Sequence, residues 1–215
     1  MAVTLPNGAV LSVGSAYGSA ITISAITNAN PAVATATAHG LTDGDIIVLT
    51  SGWPRLNGKV CRIANSTVND FELEGIDTSS TARYPAGAGA GSCKKVTTWT
   101  QITQVLEFTT QGGDQQFATY SFLEEDVEHQ LPTVKSPSSF QMTVGDDASL
   151  AWYAVLEAAN DDRDPRAVRI VLPAGSIIFY NGYVTLNKTP TMTKNEIMGL
   201  QSTVSLINEP VRYAS

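Results

Sequence analysis

Few side chains in this chain have the type and spacing for chemistry. Its two histidines are His39, in the run His39-Gly-Leu-Thr-Asp-Gly-Asp45, and His129, which follows Glu124, Glu125, Asp126 and Glu128. An imidazole beside carboxylates is the material of general acid–base catalysis, and carboxylates in unequal surroundings can divide acid and base roles. Neither histidine, however, has a recognisable triad partner, and four carboxylates crowded into a polar stretch read more simply as solvated charge. Asp43-Gly-Asp45 lacks the further ligands of a calcium loop and reads as a β-turn. Cys61 and Cys93 are the only cysteines, 32 positions apart; they match neither a zinc pattern nor a disulfide framework and are expected as free thiols. There is no Gly-x-Ser-x-Gly elbow, phosphate-cradling glycine loop or Cys-x-x-Cys pair. The sequons at Asn65 and Asn187 carry no consequence without a secretory leader. No catalytic residue, metal or cofactor is therefore expected.

The elements that would position these residues are mostly strands. Residues 9–13 open with a strand pattern, and from Ser24 to Ser92 the chain reads as a small all-β module. There, residues 32–38, 46–49, 59–63 and 71–75 are strand candidates separated by turn signals such as Asn57-Gly58. The run Ala86-Gly-Ala-Gly-Ala-Gly-Ser92 reads as a flexible return linker that does not pack. Residues 97–108 form a long strand candidate, Gly112-Gly113 supplies a turn, and residues 115–123 answer as the second arm of a hairpin. Residues 124–137 carry two prolines, four carboxylates and no period, and are expected to be a long functional loop.

Further on, residues 138–144 resume as strand. Asp146 or Asp147 is expected to cap a helix over about 148–159, in which Trp152, Val155, Leu156 and Ala159 make one apolar stripe. Asn160 and the acidic run ending at Pro165 should stop it. Strands follow at 167–172, 176–180, 183–186 and 197–207.

Composition narrows the function classes. The chain is 43% hydrophobic and only 15% charged, with 24 Thr and 18 Ser against 13 Lys and Arg. Hydroxyl-rich, weakly charged surface favours β-structure and is cheaper to cover with partners than a charged surface. A net charge of −7 argues against duplex DNA readout. No apolar stretch approaches the roughly 20 residues of a membrane span, and the first residues lack the pattern of a secretory leader, so synthesis and assembly are expected in a cytoplasm.

The order of elements from Ser138 to Tyr213 resembles the tail tube proteins of long-tailed (siphovirus) bacteriophages. The resemblance rests on the helix in Asp146-Asp-Ala-Ser-Leu-Ala-Trp-Tyr-Ala-Val-Leu-Glu157 and the basic strand and turn Arg166-Ala-Val-Arg-Ile-Val-Leu-Pro-Ala-Gly175. It rests also on Phe179-Tyr-Asn-Gly-Tyr-Val184, the closing strand at 197–207 and the hairpin length of Gln101 to Leu123, so that it covers Lys94 to Tyr213 and, more weakly, residues 1–23. It implies a mostly β fold, a β-sandwich closing towards a barrel with one flanking α-helix, formed by residues 1–23 and 93–215. Residues 24–92 would be an inserted decoration domain, similar in pattern to the first catalytic-cysteine half-domain of ubiquitin-activating enzymes.

The resemblance further implies a structural virion protein without enzymatic activity: homo-hexameric rings stacked into a tube, meeting tape measure, tail terminator and distal tail proteins, with DNA passing through the lumen unread. Residues 101–123 and 176–207 would supply the inner-barrel hairpins, and the loop at 124–137 with the arm at 1–7 would touch neighbours. Glu124, Glu125, Asp126, His129, Leu131, Lys135, Arg169, Phe179 and Tyr183 are the expected assembly contacts. Outside residues 24–92 the chain holds 14 acids and 9 bases, which suits an acidic channel wall that does not hold DNA. Two other readings compete: a monomeric carbohydrate-binding or adhesion module stacking sugars on Trp53, Tyr84 or Trp99, and an enzyme acting through His129 and its neighbouring carboxylates.

Overall fold

The computed structural model describes residues 7–214. In chain order its elements are β1 (Val10–Tyr17), β2 (Ile21–Ile23), β3 (Ala25–Ile26), β4 (Ala32–Thr35), β5 (Ile46–Ser51), β6 (Val60–Ala64), β7 (Asp70–Leu73) and β8 (Gly91–Ile102). Then come β9 (Val105–Gly112), β10 (Gln115–Tyr120), β11 (His129–Lys135), β12 (Ser138–Gly145), α1 (Ala151–Asp162), β13 (Arg166–Val171), β14 (Ile177–Leu186), β15 (Gly199–Leu206) and β16 (Val211–Tyr213). The expected mostly β fold with one helix is what forms.

Antiparallel pairing strings the strands in the order β3-β4-β7-β6-β5-β8-β1-β13-β14-β15-β12-β9, with β2 on β8 and β16 on β14. The long strand β8 serves three neighbours: Gly91 to Lys95 pair with β5, Gly91 to Cys93 also with β2, and Val96 to Ile102 with β1.

Period-2 alternation lets single strands feed two cores. On β13, Ala167 joins one core while Val168 and Ile170 join the other; on β14, Phe179 joins the first, and Val184 and Leu186 the second. The first core gathers Trp53, Leu56, Phe71 and their neighbours under the segment 23–96, together with Val211 and Tyr213. The second holds Phe140, Met142, Trp152, Leu156 and Val204 beneath α1, which packs against β14, β8 and β1.

Three expectations about local structure need correcting. The helix begins at Ala151 rather than near 148, and Leu150 at its N-cap makes no side-chain cap. The Asp147 carboxylate is already committed to the backbone N–H (3.0 Å) and hydroxyl (2.6 Å) of Ser149, a local turn that competes with helix. At the other end the helix runs on to Asp162, and Arg163 in the left-handed conformation ends it.

The glycine–alanine run also differs from the flexible linker expected of it. Ser51 Oγ donates to Gly89 O at 3.0 Å, Gly52 N donates to Ala90 O at 3.0 Å, and Gly91 starts β8. A Cβ on Gly91 would lie 2.0 Å from Thr50 O, and one on Gly89 2.9 Å from the Trp53 ring. Absence of side chains is what lets this run pack closely. The third correction concerns residues 101–137 and is taken up with the candidate site.

Candidate functional site

Residues 105–145 form one long hairpin, and its pairing differs from the sequence expectation. β10 does not fold back on the strand before Gly112-Gly113. Instead β9 pairs with β12, from Val105↔Val144 to Gly112↔Ser138, and β10 pairs with β11, from Gln115↔Lys135 to Tyr120↔His129. Each arm is therefore two strands end to end, and the stretch expected as a loop at 124–137 is half strand. Pro132 is tolerated because β11 is paired on one side only.

Gly112 and Gly113, both at positive φ, are the hinge between the two ladders, not the turn. Any Cβ at Gly112 would meet Pro137 O at 2.0 Å, and Asp114 and Ser136 close the joint, Ser136 N donating to Asp114 O at 2.8 Å and Asp114 N to Ser136 Oγ at 2.9 Å. At the base, Gln104 takes a positive φ where β8 ends, and its carbonyl accepts from Gly145 N at 2.9 Å.

No residue of β9, β10 or β11 is buried. Thr, Val and aromatic residues keep these strands extended, yet ten of the sixteen exposed large apolar side chains among the described residues lie here, between Val105 and Val134. Phe117 is 54% exposed and Leu123, at the tip, fully so. Phe108 is held against Phe140 by stacking at 5.0 Å. β9 is unpaired on its outer side and β10–β11 is a two-stranded ribbon with both edges open. Such a ribbon is marginal alone, and open edges with apolar faces invite pairing with another chain. Residues 105–145 also contain six carboxylates against Lys135 as the sole Lys or Arg, whereas the rest of 1–23 and 93–215 holds eight of each.

The expected contact residues fall into two groups. Glu124, Glu125 and Asp126 sit at the exposed tip, where Glu125 Oε2 lies 2.7 Å from His129 Nε2 and the His129 ring tilts against Tyr120 at 5.4 Å. Leu131 projects from β11, Lys135 pairs with Glu209, and Tyr183 is half exposed on β14. Phe179 and Arg169, by contrast, are committed inside the subunit. Phe179 is 2% exposed and packs on Trp99 and Tyr213, and the Arg169 guanidinium lies over the Trp99 ring at 4.7 Å, where burial lowers its pKa. A buried ring offers no surface to a neighbour, so Phe179 is corrected from a contact to a core residue. Of the N-terminal arm, residues 1–6 lie outside the described residues.

Other candidate chemistry resolves into structure. His39 Nδ1 accepts from Leu41 N at 3.0 Å and its ring meets Phe71 edge-on. Asp45 closes the expected turn by accepting from Thr42 N at 2.9 Å and pairs with Lys95 at 2.6 Å. Cys61 and Cys93 are buried free thiols; burial pushes the Cys61 pKa up and that of Cys93 up to about 11, opposite to an activated nucleophile. Among the described residues no group of three or more His, Cys, Asp or Glu is placed to hold a metal ion, and no helix is long and apolar enough to cross a membrane. The proposed sugar platform is overturned at its centre. Trp53 is 0% exposed, its Nε1 donating to Pro85 O at 2.8 Å and its ring meeting Tyr84 edge-on, while Trp99 lies under Arg169.

Compared with known proteins, residues 51–215 match the family described as phage tail tube protein, TTP. The match begins within residues 24–92, at the end of β5, and includes the whole hairpin. No curated protein matches the chain.

Proposed function

The chain belongs to the phage tail tube protein family, and from that premise we propose that the hairpin at 105–145 is the element through which copies join into the tube. The protein is a structural component of the virion tail, not an enzyme, and self-assembles alongside other tail proteins. In the reading favoured here it is the major tube subunit of a long-tailed, siphovirus-type tail, assembled in the host cytoplasm as stacked hexameric rings. β14, β15, β12 and β9, contiguous in the sheet, line the channel, and the open side of β9 continues the sheet into a neighbour. DNA passes through without being read, and tape measure, terminator and distal tail proteins meet the tube at its ends and lumen. Residues 24–92 form a decoration on the outside, resembling the small β-domain of ubiquitin-activating enzymes in pattern alone.

One observation carries this reading: three consecutive strands, β9 to β11, with no buried residue and with unpaired edges. A subunit meant to remain alone has no physical reason to maintain such an element. Glu124, Glu125, Asp126, His129, Leu131, Lys135 and Tyr183 keep their place as contacts, whereas Arg169 acts by supporting Trp99.

The test is to replace residues 115–135 by a short polar turn and view the purified protein by negative-stain electron microscopy. Tubes are expected from the parent and none from the shortened chain, with the thermal midpoint of the body retained. A parent that stays monomeric at high concentration, or a shortened chain that still forms normal tubes, would overturn the assignment.

A further inference from the structure

Beside the hairpin hinge lies an open cleft of about 730 Å³. Its walls come from distant parts of the chain: Arg55 and Lys59 flank the Asn57-Gly58 turn of the module at 24–92, Lys135 ends β11, and Glu209 precedes β16. Asn208 holds these walls together, its Nδ2 donating to Asn57 O at 2.9 Å and Arg55 O at 3.2 Å. Three cations thus face one carboxylate in a chain whose net charge is −7. Glu209 is paired with Lys135, and the same carboxylate is held below its ordinary pKa by that bond and by the fields of Lys59 and Arg55. Among the described residues neither Arg55 nor Lys59 has a carboxylate within ion-pair distance.

The same molecule carries the complementary surface. Glu124, Glu125, Asp126 and Glu128 crowd the hairpin tip, flanked by exposed Phe122, Leu123 and Val127. The tip does not sit in its own cleft: from Gln115↔Lys135 beside the cleft to Tyr120↔His129 the paired ladder runs five residues, which separates the two by roughly 17 Å of strand at about 3.4 Å per residue.

We propose that the acidic hairpin tip of one copy seats in the Arg55, Lys59 and Lys135 cleft of a second copy, a head-to-tail contact in which the module at 24–92 takes part in assembly. The proposal rests on the tube reading and deepens it. Because the two surfaces differ, the contact is heterologous and can propagate into rings or filaments, as self-complementary pairing cannot. Opposed charge supplies orientation and partner choice, and the apolar residues beside the tip supply the area that excludes water. In this arrangement residues 24–92 are not merely an ornament: they carry two of the three cations.

Two charge-reversed chains test it, one with Arg55→Glu and Lys59→Glu, the other with Glu124→Lys, Glu125→Lys and Asp126→Lys. Arg55 and the three tip residues are exposed and Lys59 is half-buried, and the only side-chain hydrogen bond lost is that of Glu125 to His129, so both variants are expected to keep the parent's circular dichroism and thermal midpoint. Each alone should associate at least about tenfold more weakly than the parent by sedimentation velocity, since like charges then oppose one another. An equimolar mixture should recover assembly, because every cleft then finds a tip of opposite sign, and parent assembly should weaken with added salt. Normal assembly of either variant alone, or failure of the mixture while the parent assembles, overturns the tip-to-cleft contact and leaves the tube reading standing. Loss of duplex DNA retention in the cleft variant with assembly unchanged assigns the cleft to phosphate and likewise overturns it. A parent that never assembles removes both readings together.

Discussion

The hairpin at 105–145 and the segment at 24–92 are both built of short antiparallel strands that carry Thr and Val, yet outside β12 the hairpin treats its side chains in the opposite way. The segment turns Trp53, Leu56, Phe71 and Leu73 wholly inward and seals itself onto β14 and β16 through Asn181 and Tyr213. The outer hairpin turns nothing inward and leaves Phe117, Leu123, Leu131 and Val134 in water. What separates the two in burial is closure. A sheet that can curl over a core satisfies its apolar face within the subunit, while a two-stranded ribbon has no second layer and must obtain one from another chain.

That contrast predicts the largest effect at Trp53. Trp53→Ala removes a fully buried ring and the partner of Pro85 O, and should cost about 3–5 kcal/mol by urea denaturation, as large-to-small core changes do. Phe117→Thr, an equally drastic loss of ring on the hairpin, should change the stability of the isolated subunit by less than about 0.5 kcal/mol while reducing assembly. Equal costs at the two positions would erase the distinction between body and hairpin.

A smaller but more pointed effect is expected where the segment closes. Gly91→Ala forces a Cβ against Thr50 O, and overpacking of this kind costs about 1–3 kcal/mol; a change near zero would restore the picture of a loose run between residues 86 and 92. Tyr213→Phe should cost a similar amount. The Tyr213 hydroxyl accepts from Arg62 N at 2.9 Å and donates to Glu74 O at 3.0 Å, and leaving two partly buried backbone groups unpaired costs about 1–3 kcal/mol. The Tyr213 pKa is raised by burial above its ordinary 10. A raised folded pKa in a neutral acid means the unfolded chain gives up its proton first, so parent stability should fall as pH rises above about 10, and part of that slope should vanish in the Phe variant.

How far the sequence could be read follows the same line. Local patterns suffice for β5, β6 and β7, because each is bounded by turn residues and has a neighbouring partner, but they split β14 at Asn181-Gly182 into 176–180 and 183–186, where the chain runs on as one strand, Ile177–Leu186, paired with β13 on one side and β15 on the other. The Gly112-Gly113 pair misled because a glycine pair signals positive φ equally well for a turn and for a hinge; only the long-range pairing of Ser138 with Gly112 distinguishes them. β11 was hidden by Pro132 and by the acidic run before it, although Leu131, Thr133 and Lys135 alternate as a strand does. Phe179 was misplaced because an aromatic residue near a glycine looks the same from either side of a sheet. The cleft has no local signal: Arg55 and Glu209 are brought together only by the seating of β16 and its lead-in against residues 55–62.

The smallest effect lies at the junction itself and tests whether charge there belongs to the fold. Arg62 forks onto Glu74, Nε to Oε2 at 2.5 Å, and its guanidinium lies over the Tyr213 ring at 4.6 Å. The hydrogen bond from Arg62 holds the Glu74 carboxyl below its ordinary value of 4.5, with burial opposing. A depressed folded pKa adds stability that is complete above the unfolded value and is lost as pH falls through the folded one, so the parent should weaken below about pH 4.5. Both side chains are about one-third exposed, which screens the pair and limits its worth to under about 1 kcal/mol. Glu74→Gln should therefore lower the neutral-pH midpoint slightly and flatten the acid limb of the stability curve. Glu125→Gln, at the hairpin tip, should leave the neutral midpoint in place and act on assembly alone. If Glu125→Gln destabilises the subunit as much as Glu74→Gln does, the acidic tip is part of the fold's own electrostatics, and its charge is not reserved for a second copy.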